Sequence, residues 1–208
     1  MDHLQQLINN YPHLSPISAS IKSAFGLITE SYTNGGKLLI AGNGGSAADS
    51  DHIVGELMKN FVKKRKLPDS FTKKLSEINT DMASYLLPRL QPGLPAISLS
   101  GNSPLTTACI NDIDAYISFA QQVYGYGNEG DVFLALSTSG NAKNVLYAAV
   151  TARAKKLKVI GLTGGNGGRL IDFADVSIVV PETETYKIQE LHLPVYHCLC
   201  LMIEDYFF

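Results

Sequence analysis

His52 and Glu56 stand four residues apart in the stretch "AGNGGSAADSDHIVGEL", residues 41–57. On a helix that spacing puts both side chains on one face. An imidazole and a carboxylate so placed are good ligands for a first-row divalent metal, and both move protons near neutral pH. The same spacing also serves a surface ion pair or a satisfied buried histidine, and spacing alone favours those readings. Gln189 and His197 form a second candidate pair near the end of the chain. Eight residues of straight helix rise ~12 Å, so the two reach one ion only if it lies between them. His192, three residues after Gln189, competes with His197. His3 and His13 lie in a polar N-terminal region and suggest no special role.

Three loops of small polar residues follow apolar runs: "GNGGS" (42–46), "SGNS" (100–103) and "STSGN" (137–141). Gly42, Gly44 and Gly45 open backbone conformations closed to other residues and let a ligand approach closely. Ser46 is placed to cap the helix that follows. Ser137, Thr138 and Ser139 offer three hydroxyls just before a helix expected from about Ala142. Hydroxyls beside the free amides of a helix N-terminus make a phosphate cradle. "GNGGSA" also fits G-x-G-x-x-A, but the acidic residue that a dinucleotide site needs about 20 residues on is missing. The phosphate-binding lysine motif of ATPases is missing too. "GGNGG" (164–168) admits another ligand loop, but a plain strand-to-helix turn is the simpler reading.

The elements that must position these loops can be read from periodicity. "KLLIAG" (37–42), "PAISLS" (95–100), "DVFLALS" (131–137), "KVIGLT" (158–163) and "DVSIVVP" (175–181) are short, nearly continuous apolar runs. Such runs fit strands covered on both faces, hence a parallel sheet. Helical segments are expected between them at 45–60, about 104–126, 142–155 and about 167–173. Alternation of strand and helix predicts an α/β three-layer sandwich with a five-stranded parallel sheet. Helices are also expected at 3–10 and 16–33, the second from Ile17, Ile21, Phe25, Ile28 and Tyr32. The final segment, 188–207, is apolar nearly all round and should be buried, with a kink or a late start at Pro194.

With 208 residues the chain makes one domain, residues 1–208, with N-terminal helices over 1–34. A formal net charge of −2 argues against a nucleic-acid coat, and no apolar run is long enough for a membrane span. The N-terminus shows neither the basic nor the apolar region of a secretory signal. Cys109, Cys198 and Cys200 have no zinc-type spacing, which suits reduced thiols in the cytoplasm. Residues 61–92 break the strand–helix rhythm. The stretch 59–74 holds Lys59, Lys63, Lys64, Arg65, Lys66, Lys73 and Lys74 against Asp69 alone, and a helical pattern follows over roughly 70–87. The plain reading is a solvated connection with a surface helix. The sharper one is a lid whose lysines draw an anionic substrate.

"AGNGGSAADSDHIVGEL", "LSTSGNAKNVLYAA" and "KIQELHLPVYHCLCLMIE", in that order, resemble the SIS (sugar isomerase) domain and, more narrowly, the phosphoheptose isomerases. The resemblance covers nearly the whole chain apart from 61–92. It implies interconversion of sedoheptulose 7-phosphate and D-glycero-D-manno-heptose 7-phosphate by a cytoplasmic homotetramer with active sites where subunits meet. It implies one zinc ion per subunit on His52, Glu56, Gln189 and His197, with Glu56 and His197 as the acid–base pair. It puts phosphate on Ser137, Thr138 and Ser139, and sugar contacts on Asn43, Ser46 and Asp112, beside Gly44, Gly45 and Gln189. Three positions depart from the family pattern: Asn60 replaces an arginine, Ala142 a serine and Tyr186 an aspartate. The resemblance also admits a non-catalytic role, as a phosphosugar-binding regulator or a scaffold for the bacterial replication initiator.

Overall fold

The computed structural model describes residues 2–208. Five strands form one parallel sheet: β1 (Leu38–Ala41), β2 (Ala96–Ser98), β3 (Val132–Leu136), β4 (Lys158–Gly164) and β5 (Val176–Val180). Their order across the sheet is β2-β1-β3-β4-β5. β3 is therefore central and β1 lies inside the sheet next to it, with Leu38 in register with Ala96 of β2 on one side and Val132 of β3 on the other. All five runs expected from the sequence are strands; four are trimmed at their polar ends, and β4 keeps Lys158 and extends to Gly164.

Side chains alternate between two cores. One face of the sheet carries Leu38, Ile40, Leu134, Leu136, Ile160 and Leu162. These pack under α2 (Ser18–Thr33), α3 (Gly45–Met58) and α9 (Thr185–Phe207). The other face carries Leu39, Ala41, Phe133, Ala135 and Val159, under α7 (Ser118–Tyr126) and α8 (Lys143–Ala154). Each fully buried aliphatic side chain contributes about 1.5–3 kcal/mol, so the strands are fixed by burial on both faces. The three-layer reading holds. All three cysteines are free and buried.

Several elements differ from expectation. The helix expected over 104–126 is two: α6 (Ser103–Asp112) and α7. Asp114 breaks it, its Oδ1 accepting from the Tyr116 amide at 2.8 Å in an Asx turn. The segment expected as a helix over 167–173 is a single 3-10 turn, Gly168–Asp172. A further 3-10 turn, Pro12–Ile17, joins α1 (His3–Asn10) to α2. α9 neither starts late nor stops at Pro194; it runs through the proline as one helix of 23 residues. Burial of Val195, Tyr196, Leu199 and Ile203 against the sheet outweighs the one backbone hydrogen bond that proline forgoes.

The basic segment folds as an extended stretch and two short helices, α4 (Asp69–Ile78) and α5 (Thr80–Leu86). α4 buries no side chain and α5 buries only Ala83. Most of it is thus the surface connection of the plain reading. Arg65 is the exception, at 5% exposure.

Candidate active site

The strand order reverses direction between β1 and β3, and in open parallel sheets such a switch point leaves a crevice at the carboxyl ends of the strands. The loops leaving β1 and β3 border that crevice. They enclose a cavity of about 260 Å³ lined by Asn43, Gly44, Gly45, Ser46, Ser137, Thr138, Ser139, Ala142, Thr185 and Gln189. α3 and α8 both begin here with no side chain from the cap residue; the amides of Ser46, Ala47 and Ala48 go to the carbonyls of Asn43 and Gly44, and that of Val145 to Asn144 Oδ1, which leaves the amides of Gly45, Lys143 and Asn144 for an anion. Ser46 does not cap α3 as expected. The helix starts at Gly45 with Gly44 as its cap, and Ser46 is buried within its first turn.

Glycine shapes the cradle at two places. Gly140 has φ +64°, and a Cβ there would collide with the Gly167 backbone. A Cβ on Gly168 would collide with the Ser139 carbonyl. "GGNGG" is therefore more than a turn; it is the bare surface against which "STSGN" is pressed. At the other place, a Cβ on Gly45 would lie 2.7 Å from Gln189 Nε2. Only glycine lets α9 bring Gln189 to the mouth of the cradle. Asn144 locks the loops together: its Nδ2 donates to Asn43 Oδ1 at 2.8 Å, and Asn43 Nδ2 donates back at 2.9 Å.

Further along α3, His52 and Glu56 do share a face, with His52 Nε2 3.2 Å from Glu56 Oε1. α9 adds His197, whose ring centroid lies 5.0 Å from that of His52. Burial, then the neighbouring His52, holds His197 below the usual histidine range, and Glu56 opposes this. His197 Nε2 is buried without a hydrogen-bond partner. The Phe61 ring lies against His197 in a tilted arrangement, centroids 5.4 Å apart. His192, the competitor, is fully buried in the core and away from this cluster; desolvation pushes it down to about 4.

A chain of groups backs the cluster. The Tyr196 hydroxyl donates to Asp49 Oδ1 at 3.2 Å and lies 3.0 Å from His52 Nδ1. Burial raises the Asp49 carboxyl above its ordinary value, against the opposing bond from Tyr196 and the nearby His52. Below the cluster Arg65 donates from Nη2 to the Glu56 carbonyl at 3.0 Å and to Glu204 Oε1 at 3.0 Å.

The chain carries a match to the sequence profile of the SIS domain over residues 75–164. It is 38% identical over 192 residues to a curated phosphoheptose isomerase of Rhodospirillum rubrum, covering 92% of this chain and 88% of that one. The chain belongs to the phosphoheptose isomerase family. The solved phosphoheptose isomerase GmhA from Neisseria gonorrhoeae superposes with a TM-score of 0.75 at 30% identity, covering 98% of this chain and 95% of that chain. The enzyme from Francisella tularensis gives 0.74 at 33% identity, covering 90% and 86%.

Within this phosphoheptose isomerase fold, the sequence-derived candidates fall into two groups and one outlier. Asn43, Gly44, Gly45, Ser46, Ser137, Thr138, Ser139 and Gln189 line the cradle. His52, Glu56 and His197 adjoin one another. Gln189 stands against Gly45, at the cradle end of the α3–α9 crossing. Asp112 is exposed at the end of α6, bonded to Asn111 at 2.7 Å, and does not line the cradle. As the side chains stand, no three His, Cys, Asp or Glu residues among those described are grouped to hold a metal ion. The donor chemistry nevertheless fits a divalent ion: two imidazoles and a carboxylate adjoin, and one buried ring nitrogen has no partner. Sequence reasoning missed Asn144, Tyr196, Asp49, Arg65 and Glu204. Asn144, Tyr196, Asp49 and Glu204 lie in ordinary helical context and Arg65 in a run of lysines, and nothing local distinguishes them from surface or core residues.

Proposed function

We propose that this phosphoheptose isomerase interconverts sedoheptulose 7-phosphate and D-glycero-D-manno-heptose 7-phosphate. The observation that carries the reading is the cradle of three hydroxyls and two helix N-termini opening at one end of the α3–α9 crossing, with Glu56 and His197 further along it. The phosphate is a remote handle; its binding energy positions the sugar for reaction at the other end. Isomerisation takes a proton from the carbon beside the carbonyl and returns it to the former carbonyl carbon, through an enediolate. Glu56 and His197 are the groups proposed to hold and return that proton. Burial holds His197 below the usual histidine range, which favours its neutral, proton-accepting form.

We also propose one zinc ion per subunit. His52, Glu56 and His197 would hold it, with Gln189 reaching from the cradle side. Zinc in such a site supplies a Lewis acid that polarises the carbonyl. Asn60, Ala142 and Tyr186 bear on which sugar fits. Ala142 lines the cradle, and Tyr186 is more than half exposed beside Glu184 and Lys187. We further propose a cytoplasmic homotetramer. Ile78, Met82, Tyr85, Ile113 and Tyr124 are exposed apolar side chains that subunit contacts would cover, and no helix among the described residues is long and apolar enough to cross a membrane.

The test is turnover of a panel of five- to seven-carbon ketose phosphates, with and without a chelator, beside metal analysis of the purified protein and its mass in solution. Aldose product from sedoheptulose 7-phosphate, lost on chelation, is expected. No product from that sugar at millimolar concentration with zinc present would overturn the reading.

A further inference from the structure

Tyr196 precedes His197 on α9 and is 1% exposed. Its hydroxyl meets two groups from α3, Asp49 Oδ1 at 3.2 Å and His52 Nδ1 at 3.0 Å. A phenol has one proton to donate and lone pairs to accept with. At pH 8 a carboxylate only accepts, so the Tyr196 proton goes to Asp49. His52 Nδ1 must then donate its own proton to the phenol oxygen. A neutral imidazole protonated at Nδ1 has a bare lone pair at Nε2. That Nε2 lies 3.2 Å from Glu56 Oε1, which also offers only lone pairs. Two acceptors at that separation repel unless a cation lies between them or a proton is added.

We propose that Tyr196 is a positioning residue: with Asp49 it holds His52 as the Nδ1–H tautomer and so turns the edge shared by His52 Nε2 and Glu56 into a divalent-cation site. The role rests on the reading of His52 as a metal ligand, whereas the tautomer is a property of the metal-free protein. Without the hydroxyl, the His52 proton moves to Nε2, where Glu56 accepts it. The ligand face then becomes a closed His–Glu hydrogen bond from which an entering metal must first expel a proton. Groups that orient a ligating histidine through its second nitrogen typically change metal affinity by about 10–100-fold.

The experiment is nitrogen-15 spectroscopy of the histidine rings in chelator-treated protein at pH 8, with the His52 signals assigned by their loss in His52→Asn. The native protein is expected to show a neutral Nδ1–H ring at His52. Tyr196→Phe, which keeps the buried ring, is expected to show Nε2–H and to bind zinc about 10–100-fold more weakly in competition with a chromophoric chelator. A native His52 that is doubly protonated or protonated at Nε2 overturns the proposal, and that measurement needs no substitution. A tautomer that switches in Tyr196→Phe while zinc affinity holds also overturns it. Native protein with the expected tautomer and no zinc binding overturns the positioning role together with the metal reading, whereas zinc binding without turnover leaves the positioning role standing and removes only the isomerase reading.

Discussion

Arg65 and Glu204, 139 residues apart in the chain, meet as a buried ion pair at 3.0 Å with side chains 0% and 1% exposed. Glu204 also accepts from the amides of Phe61, Val62 and Lys63 at 2.8, 2.9 and 3.1 Å. Arg65 donates in addition to the carbonyls of Leu57 and Pro92 at 2.7 and 3.2 Å. One pair thus clamps the end of α3, the basic segment and α9 together, directly beneath Glu56 and His197. A buried guanidinium left without its carboxylate is costly, so Glu204→Gln is expected to lose about 3–5 kcal/mol in urea unfolding. An unchanged midpoint would show that the segment is not clamped there.

The same carboxylate gives an acid limit. Burial tends to raise Glu204, but the three amides and Arg65 outweigh it and hold it below the ordinary 4.5. A depressed folded value means that the stabilisation is complete above the unfolded value and is lost as pH falls through the folded one. Native protein is expected to lose stability below about pH 4.5, and Glu204→Gln is expected to lack that part of the decline.

His192 acts in the adjacent window. Both ring nitrogens are buried without a hydrogen-bond partner, and desolvation outweighs what the Thr163 backbone contributes in the other direction. Its value falls from 6.5 to about 4, so the neutral ring's contribution is full above 6.5 and is lost as pH drops towards 4. The loss is on the order of 3 kcal/mol. His192→Leu is expected to gain on the native protein by that order between pH 7 and pH 4 in chemical denaturation. Parallel curves for the two proteins would refute this.

Gly45→Ala separates site geometry from folding. The nearest neighbours of the new methyl are the atoms at the flexible end of Gln189, at 2.7–2.9 Å. The amide swings away at little cost, and the melting temperature is expected to hold within a few degrees. Turnover is expected to fall at least tenfold, because Gln189 leaves the cradle. Unchanged kcat/KM would remove Gln189 from the site.

Glu56→Gln tests the proton-transfer role. The side chain is 13% exposed and its nearest partners are His52 and Lys59, at 3.2 and 3.5 Å. It makes no part of the core, so folding is expected to remain nearly intact while isomerase activity disappears. A loss of several kcal/mol in stability would mark it as structural instead.

The sequence by itself determined the sheet, its five strands, the α/β layering and the cradle, because burial on both faces and glycine-serine loops leave local signals. It also named His52, Glu56, Gln189 and His197, though spacing alone left His192 and His197 undecided, and the family resemblance chose between them. Tertiary structure decided what no local pattern could carry. It placed His192 in the core and His197 beside His52, since one residue's shift along a helix turns a side chain by about 100°. It left Asp112 exposed at the end of α6, outside the cradle. It made Arg65 a buried clamp within a run of solvated lysines, since its partner Glu204 comes from the far end of the chain. Contacts between residues distant in sequence depend on where the helices cross, and that is fixed only when the cores on both faces of the sheet close together.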